Sequence, residues 1–191
     1  MTIVTLAEII ALSLSVMTAI SIVYYTLRYG ISPMPSSPAT RKELFQFLPE
    51  LESGEVYELG SGFGALAIPL AQHYPNLQIT GFEISPVPYW ISRLRARYLG
   101  LSNLTFTRQD FLSVDLSRPQ LLVSYLYPKG MHKIAARLQA GEGSKQYFLS
   151  HTFALPGYEP CRSGRAGDLY QSPIYLYELE NRANPSSSGE A

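Results

Sequence analysis

Val56-Tyr57-Glu58-Leu59-Gly60-Ser61-Gly62-Phe63-Gly64 reads as a short strand that runs into a glycine-rich turn opening a helix. An acid, Glu58, stands at the strand's end. Further along, Gly81-Phe82-Glu83 closes a second strand on another carboxylate. Glycines tolerate a positive φ and let the backbone approach a ligand closely. In an open α/β sheet such ligands lie beyond the carboxyl ends of the strands. Two strand-end acids around a glycine turn suit a ligand with a cationic amino-acid end and a ribose.

Working outward, strand and helix signals alternate. Strands are expected at Glu55–Leu59, Gln78–Glu83, Leu104–Gln109, Leu121–Leu126, Gln146–Phe153 and Ile174–Leu179. Helices are expected over 65–73, 88–99 and 131–139. A further helix, through Leu48, is expected to be capped by Thr40 with Glu43 closing a capping box. The alternation predicts an α/β, parallel, doubly wound sheet with helices on both faces. Few strands follow Leu126, so the C-terminal part is expected to be abbreviated. The domain is placed at 39–180, and the tail Asn181–Ala191, short of apolar residues, is expected to be disordered.

The first thirty residues differ in kind. Ile9 to Leu27 carries no charge. As a helix rising ~1.5 Å per residue it covers most of a ~30 Å hydrocarbon core. Tyr24, Tyr25 and Tyr29 gather at one end, as interfacial aromatics do. A cleaved signal peptide would need a basic region ahead of the run, where only Glu8 stands. A buried core helix would be shorter and amphipathic. Residues 1–30 are therefore expected to be a transmembrane anchor, and 31–38, with Pro33, Pro35 and Pro38, an extended linker. Arg28, Arg41 and Lys42 all follow the run, which puts the domain on the cytoplasmic or equivalent inner face.

Length and composition narrow the field. The chain has 191 residues and zero formal net charge, so one real core is possible and bulk charge gives no sign of a nucleic-acid partner. A lone Cys161 and three scattered histidines offer no metal-ligand spacing.

S-adenosylmethionine is a ligand of the kind the two acids suit. Glu58 would face its ammonium, Gly60, Ser61, Gly62 and Gly64 would cradle it, and Glu83 would accept from the ribose hydroxyls. Gln109-Asp110-Phe111 ends the third strand. Asp110 can accept from the adenine amino group and Phe111 can pack on the ring, although a turn cap and a core residue read as well there. Tyr125 and Tyr127 alternate with Ser124 and Leu126 and so share a face, where aromatic rings stabilise ammonium and sulfonium groups. His151, in Ser150-His151-Thr152, is expected beside the same mouth as a proton acceptor or a plain hydrogen-bonding group. The dinucleotide fold is the rival, since Gly60-x-Gly62-x-x-Ala65 also satisfies its fingerprint. Glu58 would face a pyrophosphate unfavourably, and the chain has no room for a second catalytic domain.

Taken in order, the apolar helix, Pro35-Ser-Ser-Pro-Ala-Thr40, Glu58–Gly64, Gly81-Phe-Glu-Ile-Ser-Pro86 and Tyr89-Trp-Ile-Ser-Arg-Leu-Arg-Ala-Arg97 resemble a known group. It is the small membrane-anchored class I methyltransferases related to the lysine N-methyltransferases of the ATP synthase c-subunit and the adenine nucleotide translocase. The resemblance covers about residues 9–180. It implies a Rossmann-like, seven-stranded methyltransferase fold, S-adenosylmethionine as donor and lysine side chains as acceptors. No metal is expected, and the short linker after the anchor predicts that the acceptor lysine belongs to a membrane protein. Relatives often carry Asp where this chain has Phe63. A small lipophilic acceptor delivered from the bilayer, or a tethered cofactor-binding protein without turnover, are the alternative readings.

Overall fold

A computed structural model describes residues 3–29, 38–139 and 146–179. All of the expected linker except Pro38, and the expected tail Asn181–Ala191, lie outside the described residues. The chain runs α1 (Ile3–Tyr29), α2 (Pro38–Phe45), β1 (Glu55–Leu59), α3 (Ala67–His73), β2 (Gln78–Phe82), α4 (Pro86–Tyr98) and β3 (Leu104–Thr107). A 3₁₀ turn at Phe111–Ser113 follows, then β4 (Leu121–Ser124), α5 (Pro128–Gln139), β5 (Gln146–His151), β6 (Arg162–Arg165) and β7 (Pro173–Leu179).

One seven-stranded sheet has the order β3-β2-β1-β4-β5-β7-β6. The first five strands are parallel. β7 is antiparallel to both β5 and β6, which corrects the all-parallel expectation. Three strands, β5, β6 and β7, follow Leu126, more than the abbreviated part expected there. β6 escapes a sequence reading because Arg162-Ser-Gly-Arg165 has no apolar residue and is largely exposed. It is an edge strand whose position is set by pairing with β7.

Alternation along the strands divides two cores. Val56, Ile79, Leu121, Val123 and Leu149 face one way, with Leu44 of α2, Leu70 of α3 and Ala96 of α4. Tyr57, Leu59, Phe82, Leu122 and Phe148 face the other way, with Met131 and Ile134 of α5. Strands buried on both faces read as continuous apolar runs, as Leu121-Leu-Val does.

Thr40 does not cap α2. The helix begins at Pro38, where proline's missing N–H costs nothing, and the Thr40 hydroxyl donates to Asp168 Oδ2 at 3.0 Å. That bond ties α2 to the β6–β7 connection. The described side chains of α1 run unbroken only from Thr5 to Ser21. No helix among the described residues is long and apolar enough to cross a membrane, a span needing about 20 apolar residues.

Asn103, just before β3, closes the end of α3. Its Nδ2 donates to the carbonyls of Ala71 (3.0 Å), Tyr74 (3.0 Å) and Leu77 (3.2 Å). Helix-end carbonyls need such partners. Asn103→Ala is expected to destabilise the domain by about 2 kcal/mol. That lowers Tm by roughly 4–8 °C in a protein of this size, measurable by thermal melting.

Candidate functional site

The parallel order brings the carboxyl ends of β1 to β5 to one side of the sheet, and the site is assembled there. The glycine turn after β1 is held by the end of β2. Gly60 and Ser61 N–H groups both donate to the Phe82 carbonyl, at 3.0 and 2.9 Å, and Gly64 N–H to the Ser61 carbonyl at 2.9 Å. Gly60, Gly62 and Gly64 take φ of 82°, 52° and 73°, values that L side chains rarely adopt. A Cβ at Gly64 would also stand 2.8 Å from Phe106 Cζ, whereas one at Gly62 would meet open space. Gly62 is thus where the backbone is bare to a ligand.

Glu83 is buried, 2% exposed, and both its oxygens are engaged. Oε2 accepts from Gly62 N–H at 2.8 Å and Oε1 from Ser85 N–H at 2.7 Å. The acid expected to meet a ribose also pins the tip of the turn. A carboxylate has about four acceptor sites, so capacity for two hydroxyls remains.

Glu58 is buried as well, and its Oε2 has no hydrogen-bond partner among the described residues. Burial raises its carboxyl to about 8, the Ala67 N–H bond works against the rise, and the nearby Glu83 charge adds to it. The buried Ser61 hydroxyl likewise has no partner among the described residues. A buried carboxyl oxygen and a hydroxyl, both without partners there, beside a bare glycine fit a cationic amino-acid end. The residues present therefore suit S-adenosylmethionine.

Asp110 Oδ1 accepts from Leu112 N–H at 2.9 Å and caps the 3₁₀ turn. Phe111 is 5% exposed and packs in the core with Tyr57, Leu59 and Phe82. Glu83 N–H donates to the Thr107 carbonyl at the end of β3 at 3.1 Å, which keeps the ribose acid close to this segment.

The far side of the mouth is aromatic. Tyr125 lies 4.5 Å from the His151 ring, and Tyr127 lies 5.9 Å from Phe153. Tyr127 is exposed while the intervening Leu126 is fully buried, as alternation requires. His151 is 4% exposed and neither ring nitrogen has a partner among the described residues. Burial lowers it to about 4, against a raising effect from the Asp168 carboxylate, so it is neutral at physiological pH. Thr152 follows at φ 72°, costly for a β-branched residue. Its N–H donates to the Pro173 carbonyl at 2.7 Å and its buried hydroxyl has no partner among the described residues.

Sequence reasoning did not place Arg95, Phe153 or Asp168 at the site. Arg95 Nη1 donates to the Phe63 carbonyl at 2.6 Å, clamping the turn from α4. Nothing in the spacing of Arg93, Arg95 and Arg97 singles out the middle one. A recess of about 370 Å³ between Glu50–Ser53, Gln120 and Tyr147 lies at the amino ends of the strands, away from this constellation.

With this geometry in hand, three comparisons bear on the chain. Residues 58–162 match the model of the ANTKMT methyltransferase domain. The chain is similar to the ATP synthase c-subunit lysine N-methyltransferase of Xenopus laevis, 30% identical over 130 residues, which covers 66% of this chain and 57% of that protein. The chain thus spans little more than half the length of that relative. It is also similar to the release factor glutamine methyltransferase of Vibrio cholerae, 34% identical over 76 residues, covering 39% of this chain and 27% of that one. Among solved structures, it resembles an RNA methyltransferase from Salinibacter ruber in complex with S-adenosyl-L-homocysteine. The TM-score is 0.69 at 23% identity, covering 82% of this chain and 100% of that one. That likeness is one of fold.

The raised Glu58 carboxyl has a measurable consequence. Between about 4.5, its ordinary value, and about 8, the native state holds a proton that the unfolded state has lost. The contribution of Glu58 to stability is therefore full below ~4.5 and declines as pH rises through the folded value. Glu58→Gln stays neutral throughout. In ligand-free protein the variant is expected to melt several degrees above the parent near pH 8, and level with it near pH 5. The contribution of His151 has the opposite sign, lost as pH falls from about 6.5 to about 4. It is common to both proteins and cancels in the difference. Melting curves across this range check the expectation, and equal melting near pH 8 would contradict the burial of Glu58.

Proposed function

The chain belongs to the ANTKMT methyltransferase family and carries an S-adenosylmethionine-dependent methyltransferase domain, and from that premise we propose that it methylates a lysine side chain of a membrane protein. The observation that carries this reading is the aromatic mouth of Tyr125, Tyr127, His151 and Phe153 beside the glycine turn. The name of the Xenopus relative, a lysine N-methyltransferase of the ATP synthase c-subunit, points the same way.

In this reading Glu58 and Ser61 receive the ammonium end of the donor, the bare backbone at Gly62 lets it approach, and Glu83 accepts from the ribose. Asp110, through the oxygen not used in capping, and Phe111 border the adenine. When bound, S-adenosylmethionine would supply an electrophilic methyl carbon with a neutral thioether as its leaving group. The tyrosines do the rest by placement. Free lysine has a pKa of about 10.4, and an apolar, aromatic mouth disfavours its charged form. His151, held near 4, is far too weak a base to hold that proton at equilibrium. It serves as a neutral wall that keeps Tyr125 in position, and the proton leaves to solvent. Once deprotonated, the amine is aligned for in-line displacement, with catalysis resting on orientation. The aromatic faces of Tyr125 and Tyr127 stabilise the ammonium that develops on the amine during transfer by cation–π attraction.

The membrane setting is part of the proposal. Ile9, Ile10, Leu12, Leu14, Met17 and Ile20 of α1 are each about half exposed or more, an arrangement that wants an apolar surround. The polar groups inside the helix are quiet. Ser15 and Thr18 hydroxyls donate back to the carbonyls of Ala11 and Leu14, at 2.8 and 2.7 Å, as hydroxyls do in lipid. We read α1 as an anchor and the basic residues after it as placing the domain on the cytoplasmic or equivalent inner face. Eight residues separate α1 from α2, and at ~3.1 Å each they reach only ~25 Å. The mouth therefore works near the headgroups, where membrane acceptors have a high effective concentration.

Membranes incubated with methyl-labelled donor and the full-length protein are expected to show label in a protein band, as methylated lysine by mass spectrometry. Label in an extractable small molecule, or none, would refute the proposal. Tyr125→Ala is expected to lower kcat about tenfold while calorimetric donor affinity changes far less. Loss of donor binding instead would place Tyr125 in the cofactor site.

A further inference from the structure

α4 is turned inside out relative to an ordinary surface helix. Its buried positions are Pro88, Ser92 and Ala96, a small-residue stripe at four-residue spacing that lets the helix lie close on the sheet. Its exposed side carries the bulk. Trp90 is 58% exposed, Ile91 41%, Leu94 69% and Tyr98 88%. Trp90, Leu94 and Tyr98 are again four apart, so they form one stripe. A surface helix with its large residues outward is the reverse of the usual pattern and marks an interaction face.

The composition of that face identifies its occupant. Arg93 and Arg97 border the stripe, with the Arg93 guanidinium 5.4 Å from the Trp90 ring centroid. Pro86-Val-Pro-Tyr-Trp-Ile-Ser-Arg-Leu-Arg-Ala-Arg-Tyr98 holds no acidic residue. Tryptophan and tyrosine rings with arginines along one helix are what an anionic headgroup layer takes up. A protein partner needs no such uniform charge. α1 also lies against α4.

We propose that the outer face of α4 is a second membrane contact, a peripheral headgroup-binding surface selective for anionic lipid. It rests on the membrane setting of the proposed function but not on the insertion of α1. Arg95, on the same helix, holds the Phe63 carbonyl, so seating α4 on the bilayer fixes the height of the glycine turn above it.

Trp90 is the chain's one tryptophan, so intrinsic tryptophan fluorescence reports this face and no other. Full-length protein would be reconstituted in vesicles of phosphatidylcholine alone and of phosphatidylcholine with phosphatidylglycerol. On the anionic vesicles Trp90 emission is expected to shift to the blue, to be quenched by brominated acyl chains, and to resist aqueous iodide. Arg93→Gln with Arg97→Gln is expected to weaken docking about 30-fold, measured against the variant's own lipid-free spectrum, while circular dichroism stays unchanged. Flotation of the vesicles of phosphatidylcholine alone reads α1 separately. Protein that fails to float refutes the anchor, and the Trp90 signal on added vesicles still decides the α4 surface. Emission that stays exposed on both vesicles, or that shifts equally on both and ignores the double substitution, overturns the proposal. Shielding that grows with protein concentration in the absence of lipid overturns it too, and assigns the face to a second copy of the chain.

Discussion

The hydrogen bond from Gly62 N–H to Glu83 Oε2, at 2.8 Å, is the constraint from which the site follows. It joins the turn after β1 to the end of β2, and the pair of bonds from Gly60 and Ser61 to the Phe82 carbonyl makes the joint rigid. The same carboxylate then takes Ser85 N–H, immediately before α4 starts. One buried acid thus registers a turn, a strand end and a helix start. Three glycines with positive φ are required because the chain must double back within this small space. Arg95 closes the arrangement from outside through the Phe63 carbonyl.

Glu58 shows the opposite arrangement of the same chemical group. Each oxygen of Glu83 has a backbone donor, whereas Glu58 has one backbone donor and an oxygen without a partner among the described residues. The second carboxylate is consequently the one whose charge is costly, and its proton is the one that a cationic ligand would displace. The two acids are chemically identical in the sequence and differ only in what the backbone provides. The mouth on the β4–β5 side repeats the theme with His151, kept neutral by burial. In both places hydrophobic surroundings, more than exposed charge, set the protonation state that the group holds.

The fold was largely legible because the core strands are short, apolar-rich stretches separated by helix-length segments, with Leu121-Leu-Val of β4 the plainest run. The glycine turn and both acids could be placed at strand ends from spacing alone. What could not be read depended on tertiary pairing. Arg162-Ser-Gly-Arg165 has no strand pattern and becomes β6 only because β7 lies beside it. Thr40 satisfied a capping motif, yet its hydroxyl is drawn to Asp168, far along the chain. Asp110 and Phe111 could be located but not assigned between capping, packing and ligand contact, since each residue type serves all three. The positive φ of Thr152 leaves no trace in its identity. Arg95 among its arginine neighbours shows the same limit, for position on a helix does not say which carbonyl lies opposite.

The antiparallel β7 bears on how the protein is made. It lies between β5 and β6, although it is the last of the seven strands to be synthesised. As the chain leaves the ribosome, β5 therefore presents an open edge, and β6 has no strand beside it, until β7 itself has emerged. Unpaired edges of this kind template association with other chains. Folding can begin with the first four strands, which pair with one another, but completing the sheet must await that last strand. Premature termination between His151 and Pro173 would leave an exposed β5 edge on an otherwise assembled domain, so quality control of this domain is concentrated in the arrival of one short segment.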